Sequence, residues 1–256
     1  MIRKIVLIGS GNLATRLSHA LHDKGFEIAQ IFSRTVDHAK ALADCFGTSY
    51  TTVPEEITPD ADLYIFSLKD TALEEMIQRV PLNKGIWVHT AGSMPLSLLE
   101  GKPAHYGVFY MMQTFSKQRE LDFSHLPFFI EASDEATLEA LKELAGTLST
   151  NVTVLSSEKR RYLHLAAVFA CNFTNHIYAL AGKVLEEHQI PFEALLPLID
   201  ETAAKVHEMK PQDAQTGPAI RFDENVINKH IAMLNDPLMK EVYRLLSESI
   251  HKEAQQ

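Results

Sequence analysis

Apolar residues follow two different rhythms along this chain, and the rhythm changes near Ser156. Before that point come short apolar runs separated by turn residues and by segments of helical period. The runs Ile2–Ile8, Ile28–Phe32, Ala61–Ser67 and Gly85–His89 predict buried strands. Shorter strands are expected at 48–50, 105–110, 127–131 and 152–155. Helices fit 12–24, 36–46, 71–79 with Asp70 as N-cap, and 134–148 behind a capping Ser133. Strand and helix alternate, which predicts a mostly parallel, doubly wound sheet. After Ser156 the pattern is helical throughout. Glu158 to His188 runs without a proline, Ile190-Pro191 stops it, and helices follow at 191–209, 223–234 and 236–252, with a loop at 210–221. The expectation is an α/β fold of two domains, residues 1–155 and an all-α part, residues 156–256.

The first strand runs straight into Gly9-Ser10-Gly11-Asn12-Leu13-Ala14 and then a helix. About twenty residues on, the second strand ends in Ser33-Arg34-Thr35. This is the layout of a dinucleotide-binding βαβ unit, so the N-terminal domain reads as a Rossmann domain. Gly9 permits the tight turn, Gly11 removes a Cβ that would block a pyrophosphate, and Ala14 allows close packing of helix on strand. Backbone N–H groups at the helix start aim at the phosphates. An acidic residue at the end of the second strand would accept the ribose hydroxyls of NAD. Arg34 between two hydroxyls suits the 2′-phosphate of NADP instead. NADP is therefore the expected cofactor.

The bulk numbers narrow the remaining choices. With 256 residues the chain can bury a full core, and 46% apolar with 22% charged residues is ordinary for a globular protein. A net charge of −9 and only one short basic run, Lys159-Arg160-Arg161, argue against nucleic acid as partner. No secretory signal or membrane-length apolar stretch is visible, so a cytoplasmic protein is expected. Cys45 and Cys171 lack metal or redox spacing, and the histidines form no metal motif, so no metal is expected. No nucleophile elbow surrounds Ser33, Ser67 or Ser93, which argues against hydrolase chemistry.

Six segments, in order along nearly the whole chain, resemble a family of Rossmann-like proteins with a C-terminal domain of unknown function, family 2520. They are 9–14, Ser67-Leu68-Lys69-Asp70, His89-Thr90-Ala91-Gly92-Ser93, Met112-Gln113-Thr114-Phe115, Tyr162 to Asn172, and Thr216 to Asp223. That family is related to pyrroline-5-carboxylate reductase, the β-hydroxyacid dehydrogenases and the deazaflavin-dependent NADP reductases. The resemblance implies an NADP oxidoreductase whose helical domain closes over the cofactor and builds a homodimer. One departure stands out: Phe109-Tyr110 replaces the His-Pro that such proteins carry before the 112–115 element. Any role of that histidine toward substrate is lost or passes to Tyr110.

The resemblance also suggests where chemistry sits. Ser67, Leu68 and Lys69 would run past the nicotinamide ribose, and His89, Thr90 and Gly92 would lie beside the nicotinamide. β-Hydroxyacid dehydrogenases carry a catalytic lysine and an asparagine on their long helix. Here no lysine lies between Tyr162 and Asn172, and His164 is the nearest ionisable equivalent. His164 is expected to donate a proton or hydrogen bond to substrate, and Asn172 to orient it. Eight residues of α-helix bring the two within 80° of one another, and the apolar neighbours of Asn172 predict its burial. Tyr110 and Gln113 are further substrate candidates, with Arg221 as a carboxylate clamp and Asp223 as the cap of the next helix. The leading expectation is hydride transfer between NADP and a small carbonyl, imine or 2-hydroxy acid. Hydride exchange with a deazaflavin is a rival within the enzymes; a non-catalytic NADP-binding sensor is the rival outside them.

Overall fold

The computed structural model describes residues 2–255. By internal contacts the chain divides into two compact units, Met1–Cys171 and Asn172–Gln256. The first unit contains β1 (Lys4–Ile8), α1 (Asn12–Asp23), β2 (Glu27–Phe32), α2 (Val36–Asp44), β3 (Ser49–Thr51), β4 (Leu63–Phe66) and α3 (Asp70–Arg79). It continues with β5 (Ile86–His89), β6 (Tyr106–Met111), β7 (Phe128–Ala132), α4 (Glu135–Leu148), β8 (Val152–Val154) and α5 (Ser157–Ala167). The eight strands form one sheet in the order β3-β2-β1-β4-β5-β6-β7-β8. All neighbours pair in parallel except β6 and β7, so β7 and β8 run against the other six.

The apolar runs are unbroken because both faces of the sheet are covered. In β1, Ile5 and Leu7 join a core with Leu17 and Leu21 of α1 and Leu141 and Leu144 of α4. Val6 and Ile8 point the other way, into a core with Phe66, Trp87 and Leu73, Met76 and Ile77 of α3. Chain connections leave β1 toward β2 on one side and reach β4 on the other. In such a sheet that reversal opens a crevice at the carboxyl ends of the strands, where ligands bind.

Two caps differ from the sequence expectation. Asp70 is the first residue of α3, not its cap, and its carboxylate accepts from the Ser93 hydroxyl. Asp134, not Ser133, caps α4: its carboxylate accepts from the Thr137 N–H and hydroxyl, which hold it well below the usual carboxylate range. Ser133 Oγ is committed to the Tyr106 N–H, so it is unavailable to the helix.

The division between units falls after Cys171 and not at 155/156. The physical reason is α5: its Arg160 is fully buried and paired with Glu131 of β7, so this turn of helix belongs to the sheet. The long helix predicted over 158–188 is also not uniform. Between α5 and α6 (Thr174–Glu187), residues Val168–Phe173 form a π segment with wider turns.

The second unit holds α6, a 3₁₀ turn at Phe192–Leu195, α7 (Leu196–Glu208), α8 (Pro211–Ala214), α9 (Glu224–Met233) and α10 (Pro237–Glu253). α8 lies inside the segment expected to be a loop. Gln189 ends α6 in the left-handed region, at φ 58°, just before Pro191. Asp223 caps α9 as expected, accepting from the Val226 N–H, and Asp236 caps α10. No helix among the described residues is long and apolar enough to cross a membrane.

Candidate active site

The site begins at the glycine turn. Gly9 has φ +129°, and a Cβ there would stand 2.1 Å from the Ser67 carbonyl oxygen. Only glycine allows β1 to turn this close to the end of β4. Gly11 is different: it caps α1 with extended backbone, and a Cβ there would meet no protein atom within 4 Å. The space over Gly11 is open, and no side chain caps the first turn of α1. Uncapped N–H groups facing open space at a helix start fit a dinucleotide pyrophosphate. Ala14 is fully buried against the core, and Leu13 packs beside it.

The end of β2 is fastened to this turn. Ser10 Oγ donates to Ser33 Oγ at 2.7 Å, and Gly9 N–H donates to the Phe32 carbonyl at 2.9 Å. Arg34 and Thr35 follow, both exposed. Thr35 stands at the N-cap of α2 without making a side-chain cap bond. The end of β2 thus lies one buried hydrogen bond from the glycine turn. Asn12 adds a link that the sequence did not reveal: Nδ2 donates to the Phe115 carbonyl at 2.9 Å, and Arg16 holds the carbonyls of Ser116 and Lys117. The β6–β7 connection is therefore fastened to the front of α1.

The next two turns stack in series. Ser67 and Leu68 are half-buried beside Gly9, and Lys69 is exposed at the N-cap of α3. Thr90 is buried, its N–H donating to the Phe66 carbonyl at 3.2 Å. The 67–70 and 89–95 turns are then joined by the Ser93–Asp70 hydrogen bond.

His89 is enclosed by its own turn. It has 0% exposure and both ring nitrogens are committed to its own turn. Nε2 stands 3.2 Å from the Pro95 carbonyl, and Nδ1 accepts from the Ala91 N–H at 3.3 Å. That arrangement requires the neutral Nε2–H tautomer. Burial, aided by the nearby Arg160 charge, pushes its pKa down to about 4. The ring expected beside the cofactor or substrate is thus spent on holding the 89–95 turn.

Beyond this turn the side chains of three elements converge. A Cβ on Gly92 would lie 2.5 Å from His164 Nδ1, 2.7 Å from His164 Cγ and 3.0 Å from Tyr110 Cε2. Tyr110 hydroxyl and His164 Nδ1 share a hydrogen bond of 3.1 Å. Tyr110 is buried and stacks on Phe129, and burial raises its pKa. Gly92, Tyr110 and His164 were singled out separately in the sequence; the fold makes them one cluster.

The remaining candidates are exposed. Gln113 is exposed and spends its carbonyl oxygen on the N–H and hydroxyl of Thr114. Asn172 is exposed, not buried, and sits in the π segment, where the uniform 100° step behind the 80° estimate fails. Arg221 is exposed in the second unit, on the turn before Asp223. Glu131, Ser157 and Arg160 went unnoticed in the sequence, although they bond one another, the charges of Arg160 and Glu131 act on His89, and Arg160 stands one turn before His164. The available signal was a glutamate ending the apolar strand Phe128-Phe129-Ile130, and an arginine four residues before the candidate histidine. Among the described residues no group of three or more His, Cys, Asp or Glu is placed to hold a metal ion.

Comparison with known proteins now places the chain. Residues 4–90 match the family model "NADP oxidoreductase coenzyme F420-dependent", and residues 126–250 match "Domain of unknown function (DUF2520)". The crystal structure of a putative NADP oxidoreductase from Bacteroides fragilis is 55% identical over 98% of both chains, with a TM-score of 0.93. This chain belongs to that family of NADP oxidoreductases carrying DUF2520. The family's fold extends to more distant structures. A 1-pyrroline-5-carboxylate reductase from Streptococcus pyogenes is 15% identical, covering 98% of this chain and 96% of its own, at TM-score 0.64. An imine reductase from Myxococcus stipitatus, in complex with NADP+, is 14% identical, covering 98% and 93%, at TM-score 0.65. Curated glutamyl-tRNA reductases, such as that of Saccharolobus islandicus, are 32% identical over 66 residues only. Those 66 residues are 26% of this chain and 16% of the relative, so the match spans about a sixth of the relatives' length.

Proposed function

We propose that this protein is an NADP-dependent reductase of a small carbonyl or imine compound, with His164 as the proton donor. The observation that carries the reading is the His164–Tyr110–Gly92 cluster at the carboxyl ends of β5 and β6, in series with the glycine turn. The open face of Gly11, the uncapped start of α1 and the Ser33-Arg34-Thr35 terminus of β2 support NADP as the nucleotide. Gly9 to Ala14 would cradle the pyrophosphate, Arg34 with its hydroxyl neighbours the 2′-phosphate, and the 67–69 and 90–92 turns the nicotinamide half.

NADPH, when bound, supplies a hydride: two electrons and one hydrogen pass to the carbonyl or imine carbon, leaving NADP+. The π pair of the double bond moves to the oxygen or nitrogen, which then needs one proton. His164 is suited to provide it. In the imidazolium form, Nδ1–H donates to the Tyr110 oxygen, and the Nε2 proton is the one transferred. The neutral ring left behind keeps its Nδ1–H bond to Tyr110, so the product tautomer is already stabilised. Tyr110 thereby holds the ring through both states. In the reverse direction the same ring accepts the proton from a hydroxyl or amine.

A homodimer is part of this reading. Tyr162 and Leu165 on α5 are 69% and 54% exposed, large apolar surfaces to leave in water. Within the second unit, an apolar groove of about 470 Å³ is lined by Leu180, Val184, Met233, Met239, Val242 and Leu246. Sedimentation of the purified chain tests this, and a monomer at micromolar concentration would refute it.

The test of function has two stages. NADPH and NADH are titrated into the protein by nicotinamide fluorescence, with Arg34→Asp alongside. NADPH is expected to bind at least about tenfold more tightly than NADH, and the substitution to remove that preference. Pooled carbonyl and imine metabolites, and a deazaflavin, are then screened as acceptors with wild type and His164→Gln. Turnover of an acceptor that His164→Gln leaves unchanged would remove the proton-donor assignment. NADPH binding without oxidation by any acceptor would favour the sensor.

A further inference from the structure

A proton donor must be held in one place, and the fold carries an unusual device one helical turn before His164. Arg160 is wholly buried at 0% exposure. Its Nη1 donates to Glu131 Oε2 at 2.7 Å, and its Nη2 donates to the Met94 carbonyl at 2.6 Å and to Ser157 Oγ at 3.1 Å. Ser157 Oγ in turn donates to the same Glu131 oxygen at 2.6 Å and accepts from the Leu96 N–H at 2.8 Å. These groups join β7, the first turn of α5 and the 94–96 backbone into one strut. Arg160 Nε is left buried without a protein acceptor.

Stability alone does not explain this arrangement. Desolvation of a buried ion pair cancels most of its attraction, and apolar side chains of similar volume usually serve as well. A guanidinium fork supplies direction instead, because its donors are planar and fixed relative to one another. Direction matters here because the fastened segment also contains Gly92, whose missing Cβ is the space occupied by the His164 ring. A shift of about half an ångström between α5 and that segment is enough to spoil such a seat.

We infer that Arg160 and Glu131 are positioning residues for His164: through Ser157 and the Met94 carbonyl they set the seat of its imidazole, and thereby its bond to Tyr110 and the nitrogen that carries the proton. This deepens the proposed reading of His164 and rests on it for its catalytic meaning. Tyr110 feels the charges of Arg160 and of Cys171 in the π segment, and His89 those of Arg160, Glu131 and Asp70 of α3.

The experiment needs no acceptor. Side-chain NMR of ¹⁵N-histidine-labelled full-length protein follows the tautomer and titration midpoint of His164, assigned by its loss in His164→Gln. Arg160→Lys keeps the charge but loses the fork; Glu131→Gln keeps the shape but loses the charge. Each is expected to move the His164 midpoint by about half a pH unit or more and to weaken the preference for one tautomer. NADPH affinity, measured by fluorescence, is expected to stay within about twofold, because the glycine turn is not part of the strut. Folded variants that keep the wild-type midpoint and tautomer would overturn the inference. Glu131→Gln is close to isosteric and decides alone should Arg160→Lys fail to fold. With an acceptor in hand, the expected signature is a lower kcat at unchanged KM. Should turnover survive His164→Gln, the acid assignment falls while the NMR result still decides whether the strut seats the ring.

Discussion

The glycine turn and the His164 cluster lie in the same unit, yet they are built in opposite ways. The turn is local: Gly9, Gly11 and Ala14 act within six residues, and the distant partners come from the ends of neighbouring strands β2 and β4 and, through Asn12, from the β6–β7 connection. The cluster is assembled from far apart. Tyr110 and His164 are 54 residues apart, Arg160 and the Met94 carbonyl 66, and Arg160 and Glu131 29. A local device tolerates little change because its constraint is backbone geometry. A distributed device can move a side chain and survive, at the expense of function.

Gly9→Ala should have the largest effect. The new Cβ meets a backbone oxygen at 2.1 Å in a φ region closed to alanine, and neither can yield. A loss of roughly 3 kcal/mol or more is expected, with NADPH binding abolished. Thermal unfolding and fluorescence titration check it; a stable, NADPH-binding Gly9→Ala protein would mean that the turn is not held by its backbone.

Acid should have the next largest effect, through the turn that lies beside the cluster. His89 titrates near 4 in the folded chain against an ordinary 6.5. The unfolded chain therefore takes up this proton first as pH falls. The stability contributed by neutral His89 is whole above about pH 6.5 and is lost progressively toward pH 4, up to about 3 kcal/mol. Denaturant unfolding at pH 7, 6, 5 and 4 should show that slope, and His89→Gln should flatten it. Equal slopes for both proteins would mean that another group carries the acid sensitivity.

Gly92→Ala sharpens the contrast. Its Cβ also meets atoms inside 3 Å, but these belong to side chains of His164 and Tyr110 that can swing away. Stability should fall by only about 1–2 kcal/mol. Turnover should drop on the order of a hundredfold once an acceptor is known. If turnover and stability fell together by the same proportion, the seat would be merely structural.

The smallest effect belongs to the helical unit. Asp236 accepts from the N–H groups of Leu238 and Met239 at the start of α10, so Asp236→Ala should cost about 1 kcal/mol in unfolding experiments. NADPH binding should not change. A larger loss would show that Asp236 does more than cap.

Much of the fold was legible because strands buried on both faces write unbroken apolar runs, as in β1, β4 and β5. Caps were legible where the capping residue has no competitor, as at Asp223, and misread where a tertiary partner captured the hydroxyl, as at Ser133. The π segment left no trace, since its six residues read as ordinary helix, and with it went the uniform step assumed between His164 and Asn172. Arg160 was invisible for a related reason. Flanked by Lys159 and Arg161, it read only as part of a short basic run, while its partner in the core is a glutamate 29 positions earlier.

The order of residues alone determined the nucleotide turn, the alternation of strands and helices, and the family, because each is carried by neighbours in the chain or by backbone demands that only glycine meets. Which histidine keeps a ring nitrogen free of its own turn was decided by tertiary structure. His89 and His164 look alike in sequence, but β5 buries one with both nitrogens spent on its own turn, and α5, fastened through Arg160, brings the other against Tyr110. A ring nitrogen is available or committed according to what packs around it, and those neighbours lie dozens of residues away.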